Sequence, residues 1–201
     1  MGSISKPFPV PGIVYALACY VAWGFLPLYF HRLDGFPPLM ILSHRILWCV
    51  VFLAAYLARQ GRLREFATRL ADRKQMAYLT VTSLLIGSNW YLFVYSVSAK
   101  RVSEVALAYY LSPLLSALIG TTFLKEVLRA PQYLAIVLAF LGVAILAVLK
   151  GGVPWLAVTI AVSFALYGTL RKILGIDSLL ALWGETLILA LPALIAGWQF
   201  T

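Results

Sequence analysis

Arg45 is the residue best placed to do chemistry, because it stands beside His44 inside the otherwise apolar run Leu39–Ala58. A guanidinium presents a planar fork of donors that fits a carboxylate or a phosphate. Asn89, Glu104, Tyr109 and Ser112 are further polar groups set in apolar surroundings, and Glu185 is the single carboxylate of the last apolar run. Ionisable groups in such runs cost several kcal/mol, so each needs a partner or a ligand. Two roles are open to Arg45. It can form a fixed ion pair with Glu104 that orients two helices, or its fork can receive an anionic or zwitterionic small molecule. Glu185 has two roles as well, as a carboxyl satisfied by a helix beyond the chain's end or as a protonatable gate group. His44 points ~100° away from Arg45 on a helix, towards headgroups, backbone or a neighbouring helix, and is kept with the candidate binding residues.

Catalysis and metal chemistry find little support. There is no His-Glu-x-x-His pattern, no Ser/His pair at a plausible spacing and no cluster of carboxylates. His44 is the only histidine within the apolar runs, and Cys19 and Cys49 belong to no metal or redox spacing. No catalytic residue, metal or cofactor is therefore expected.

The composition fixes the solvent. Of 201 residues, 63% are hydrophobic and 11% charged, with a mean hydropathy of +0.93. A soluble domain is roughly 45–50% apolar and about 25% charged, so an ordinary soluble enzyme, a disordered chain and a nucleic-acid-binding arm are excluded. About 20 apolar residues cross the hydrocarbon core as a helix. Seven runs qualify: Val10–Phe30, Leu39–Ala58, Met76–Val97, Glu104–Leu124, Gln132–Leu149, Val153–Leu170 and Leu179–Gln199. The expected fold is an all-α polytopic membrane bundle.

The net charge of +9 is distributed by side. Arg59, Arg62, Arg64, Arg69, Arg73 and Lys74 crowd one loop, interleaved by the single aromatic Phe66, which suits anionic headgroups rather than nucleic acid. Alternate loops place eleven basic residues on one side (Lys6, these six, Lys125, Arg129, Arg171 and Lys172) and four on the other (Arg32, Lys100, Arg101 and Lys150). The richer side is expected in the cytoplasm, and the N-terminus with it.

Arg45 then lies ~9 Å below the outer boundary and Asn89 ~12 Å, at a level shared with His44, Glu104, Tyr109 and Ser112. Ser103 would cap the helix that Glu104 opens. Glu185 falls in the inner half, ~11 Å from Arg45 along the membrane normal. Trp48, Tyr91, Tyr95 and Tyr110 are candidates for an aromatic wall. Pro27 and Pro113 would kink their helices, and Ala135, Ala139 and Gly142 would form a small packing face.

An internal repeat is half visible. An offset of 144 matches Cys19 with Ser163, Tyr20 with Phe164, Trp23 with Tyr167 and Gly24 with Gly168, and an offset of 140 lays Glu185 on Arg45. Five runs precede the second copy, so it enters from the opposite face, as in inverted-repeat transporters.

His44-Arg45-Ile46-Leu47-Trp48, the stretch Trp23–Phe30, Asn89-Trp90, the stretch Arg101–Tyr110, Ser112-Pro113-Leu114, Phe123–Glu126, the stretch Ser163–Gly168 and Glu185-Thr186-Leu187 follow one another in a definite order. Together they resemble the RarD-type branch of the EamA family, in the drug/metabolite transporter superfamily. The resemblance implies ten helices in two inverted five-helix repeats, with 10–149 the first and 153–201 the start of the second, two helices long. The abrupt end at Thr201 reads as a chain cut short, with one wall of the cavity open unless a homodimer supplies it. The family pattern usually closes helix 4 with Gly-Glu-Arg, where this chain has Lys125-Glu126-Val127.

The resemblance further implies a bacterial inner-membrane permease that moves a small metabolite or drug-like molecule by alternating access. The competing classes are an intramembrane enzyme, a receptor or retinal protein, and a channel or structural membrane protein. The cytoplasmic N-terminus opposes a receptor, the last run has no lysine for a Schiff base, and no filter-like repeat marks a channel.

Overall fold

The computed structural model describes residues 10–199 apart from 34, 71, 126, 129 and 150. Lys6, Glu126, Arg129 and Lys150, used above in the charge balance and the motif, lie outside the described residues. Eight helices follow in order: α1 Val10–His31, α2 Pro38–Arg59, α3 Leu63–Leu70, α4 Arg73–Ser98, α5 Val102–Leu124, α6 Ala130–Leu149, α7 Trp155–Leu174 and α8 Ser178–Trp198. All but α3 are long and apolar enough to cross a membrane, and a lone helix satisfies its own backbone there.

The residues up to 35 form one unit and those from 36 onward another. In the first, α1 runs unbroken through Pro27, and Tyr20 meets Trp23 edge-on at 5.8 Å. It extends to His31, so His44 is not the only histidine of a membrane-length helix.

In the second unit α2 packs along α8, and α7 packs against α5 and α4. Leu42, Ile46, Ile86, Leu189 and Ala193 form one core cluster, from α2, α4 and α8. Ala108, Leu111, Ala157, Ile160 and Ala161 form another where α5 meets α7. The alanines let the two backbones approach closely, the means by which membrane helices associate without a hydrophobic drive. Of the small face on α6, Ala139 reaches this cluster, but Ala135 is exposed and nothing lies within 4 Å of a Cβ built on Gly142. α5 continues through Pro113 as a helix.

Several helix ends depart from expectation for local reasons. α4 begins at Arg73 because the Asp72 carboxylate accepts from the amides of Lys74 at 2.8 Å and Gln75 at 3.4 Å. Those amides hold the Asp72 carboxyl below the ordinary carboxylate range. Asp177 caps α8 in the same way. Burial pushes its carboxyl up, but the Leu180 and Leu179 amides and the Arg62 guanidinium together hold it low. α5 starts at Val102 with Arg101 at the cap position, so Ser103 lies inside the helix and does not cap it. α7 runs on to Leu174, taking in Arg171 and Lys172.

The basic segment contains α3, which composition alone does not announce. Phe66 turns inward to join Leu57 of α2 and Leu180 of α8, and its ring lies 4.6 Å from that of Trp183. Removing such a ring from water is worth roughly 1.5–3 kcal/mol. Arg62 binds Glu65 at 3.0 Å and Asp177 at 3.3 Å, tying the strap to the α7–α8 turn. Arg59, Arg64, Arg73 and Lys74 remain exposed at this basic end.

Candidate functional site

Arg45 stands one turn past Leu42 on α2, half-buried, with its guanidinium carbon 4.3 Å from the centre of the Trp90 ring on α4. Trp90 is itself held against the cluster of α2, α4 and α8. A desolvated cation over an indole face is worth about 2 kcal/mol, so Trp90 fixes the position of the charge and leaves its donors free to bind. Tyr109 of α5 and Cys49, one turn along α2, lie within electrostatic reach. The Tyr109 ring lies 5.8 Å from that of Phe93, linking α5 to α4. Among the described residues no carboxylate pairs with Arg45.

That result removes the ion pair with Glu104. Glu104 opens α5 and is buried, but its Oε1 accepts from Arg101 Nε at 2.6 Å. The Glu104 Oε2 atom is buried without a hydrogen-bond partner among the described residues. The reason is local: residues three apart on a helical turn meet without fixing a second helix.

Asn89 is also committed elsewhere. Its amide donates to the Ile160 carbonyl at 2.8 Å and to the Ser163 hydroxyl at 2.9 Å, both on α7. Ser112 donates to the Ala108 carbonyl of its own helix at 2.7 Å. His44 lies on the exposed surface. Trp48, Tyr91, Tyr95 and Tyr110 are exposed as well, with Trp48 stacked on Phe52 at 5.7 Å and Tyr91 on Tyr95 at 6.2 Å. Of the expected constellation the structure therefore joins Arg45 and Tyr109, adds Trp90, and turns Asn89, Glu104 and Ser112 to other partners.

A second polar group forms towards the basic end. Glu185 of α8 is fully buried. Its Oε2 accepts from the Tyr167 hydroxyl at 3.0 Å, and its Oε1 lies 3.5 Å from Arg171 Nη1. Thr82 of α4 adjoins the carboxylate, and Arg171 also donates to the Ser178 carbonyl at 2.9 Å. The carboxyl is thus met by helices that are present, against the expectation that it awaits a further one. Arg171 was counted with the loop charges; its spacing of four from Tyr167, one turn of the same helix face, was the available signal.

The sequence matches the EamA-like transporter family over residues 10–148. It is 41% identical over 182 residues to an uncharacterized transporter of Vibrio cholerae, covering 90% of this chain and 60% of that protein. It is 35% identical over 176 residues to the protein RarD of Salmonella typhi, with 88% and 60% covered. It is 31% identical over 189 residues to the chloramphenicol-sensitive protein RarD of Pseudomonas aeruginosa, with 92% and 63% covered. The chain thus spans about 60% of the length of the relatives it matches. No solved structure matches it. With seven membrane-length helices and this match, the chain is a multi-pass membrane protein and belongs to the EamA-like transporter family.

Proposed function

We propose that the chain is the greater part of a secondary transporter in which Arg45 receives the anionic group of a small metabolite or drug-like molecule. The observation that carries the reading is Arg45 seated on Trp90 with no carboxylate partner among the described residues. A guanidinium within a membrane helix and without a counter-charge is costly, and a substrate carboxylate or phosphate would offset that cost only while bound. Carboxylates that are also zwitterions fit the same fork. In this reading residues 10–149 are the first repeat and 153–201 begin the inverted second. Alternating access arises by rocking of the two about the level of Arg45, in the inner membrane with the N-terminus cytoplasmic. The family supports transport over the enzyme and channel alternatives.

The test is uptake by membrane vesicles of radiolabelled benzoate, phenylalanine and chloramphenicol, the last suggested by the name of the Pseudomonas relative. We expect a carboxylate to move, and Arg45→Lys to slow it tenfold or more at unchanged protein level, because a point charge does not reproduce the fork. Transport by Arg45→Ala at the wild-type rate removes Arg45 from the substrate site.

A further inference from the structure

Among the described residues Glu185 is a membrane-embedded carboxylate that three helices enclose. Its partners hold it unevenly. Tyr167 makes a hydrogen bond to Oε2, whereas Arg171 Nη1 stays 3.5 Å from Oε1, and neither of those two buried atoms has a hydrogen bond. Charge-assisted bonds close to about 2.7–2.9 Å, so this pair is incompletely made in a place where incomplete pairing is costly. Thr82, the neighbour from α4, donates to its own helix, to the Leu79 carbonyl at 3.1 Å. Arg171 has an alternative anchor in the Ser178 carbonyl at the exposed α7–α8 turn.

We propose that Glu185 is a proton-binding site whose occupancy dissolves its ion pair with Arg171 at the basic end. The step is simple. A hydronium ion from the water at that end transfers its proton and leaves as water, an O–H bond forms at Oε1, and Glu185 becomes neutral. Arg171 keeps its charge, loses its counter-charge and remains bound to Ser178. Tyr167 keeps donating to Oε2, so the neutral acid stays oriented. The charged or titratable groups acting on Glu185 are Arg171 and Tyr167, both from α7; α4 contributes the neutral Thr82. A metal cation is the wrong ligand. The described residues contain no cluster of three His, Cys, Asp or Glu side chains, and an ion there would face the guanidinium, whereas a proton is taken up on the carboxylate oxygen itself. The link to transport rests on the transporter reading, but the proton site does not.

The test is infrared difference spectroscopy of the chain in lipid nanodiscs, titrated between roughly pH 9 and pH 5, a range that buried glutamates reach. We expect a protonated-carboxyl band to grow on acidification and to be absent from Glu185→Gln. Tyr167→Phe should shift that band without removing it, since one hydrogen bond to the acid is lost. Glu185→Gln strands Arg171, so the double variant Arg171→Gln with Glu185→Gln provides a second chain without the acid. A spectrum unchanged between wild type and both variants makes the pair a static tie and overturns the proposal. A Glu185-dependent band in a chain that takes up neither benzoate nor phenylalanine supports this site while the Arg45 reading fails.

Discussion

Arg45 and Glu185 each stand eighth in their helices, α2 beginning at Pro38 and α8 at Ser178, and the two helices pack antiparallel. Ser43 lies 3.8 Å from a Cβ built on Gly197 at one end, and Leu57 shares a cluster with Leu180 at the other. Arg45 is therefore about level with Ile195, roughly 15 Å from Glu185 along the pair at 1.5 Å per residue. That is wider than the ~11 Å estimated from run ends. The two charges face opposite ends of one antiparallel pair, each met by an aromatic ring: Trp90 for Arg45, Tyr167 for the Glu185–Arg171 group.

The first prediction concerns Arg45 and Glu104. Glu104 keeps Arg101 when Arg45 is removed, so Arg45→Ala strands no carboxylate. In a double-mutant cycle read by thermal melting in detergent, Arg45→Ala and Glu104→Ala should add to within about 0.5 kcal/mol. Arg101→Ala and Glu104→Ala should not. Rescue of Arg45→Ala by Glu104→Ala restores the ion pair and refutes the contact seen here.

Asn89 should behave as a tie between α4 and α7. Asn89→Ala loses two cross-helix hydrogen bonds, which in membranes are worth about 0.6 kcal/mol each on average and at most about 1.7. The expected loss is about 1 kcal/mol in unfolding of the chain from mixed micelles. Binding of benzoate or phenylalanine at Arg45 should weaken no more than this loosening explains. Unchanged stability with abolished binding would return Asn89 to the substrate site.

How much of this was legible follows the physics of each residue. Apolar runs must become helices in lipid, so the seven spans stand within a few residues of where hydropathy put them. The helical rise also brings Arg45 of α2 level with Trp90, the neighbour of Asn89, on α4, where the two meet. The facing of side chains was not legible, because it depends on helix rotation. Asn89 turns to α7 and its neighbour Trp90 to Arg45, one residue and ~100° apart. The α3 strap was masked by its charge, although Leu63, Phe66, Ala67 and Leu70 carry the i, i+3, i+4, i+7 spacing of an amphipathic helix. Lys125 closes α5 in the left-handed conformation at φ 54°, which costs a side chain ~1–2 kcal/mol that a glycine is spared.

Gly184 should not tolerate a methyl group. A Cβ there would lie 2.9 Å from Phe66 Cε2 and 3.3 Å from Cζ, so α3 must shift or the ring must leave its place over α8. Gly184→Ala should cost about 1–3 kcal/mol, the usual range for overpacking. The second change Phe66→Leu should recover part of that loss, because it shortens the side chain that clashes. Protease sensitivity in 60–72 is the direct readout, since a displaced strap exposes its backbone. A Gly184→Ala protein as resistant to cleavage as wild type shows that the strap does not depend on this contact.

The last prediction is the orientation. α2 ends and α4 begins at the basic end, while the α4–α5 turn at 99–101 lies at the other, because a membrane-length helix separates them. Basic residues are retained on the cytoplasmic side, and the exposed Arg59, Arg64, Arg73 and Lys74 cluster at one end. Single cysteines at Gln60 and Ala99, both exposed, should therefore react from opposite sides in a background with Cys19 and Cys49 replaced. A membrane-impermeant maleimide applied to intact cells should label Ala99→Cys and spare Gln60→Cys until the cells are opened. The reverse pattern inverts the protein. It would place Arg45 in the inner half and Glu185 in the outer half, so the proton of the Glu185 site would come from outside the cell. Labelling of both positions from one side would be incompatible with α4 as a spanning helix, and the antiparallel account of α2 and α8 would fall with it.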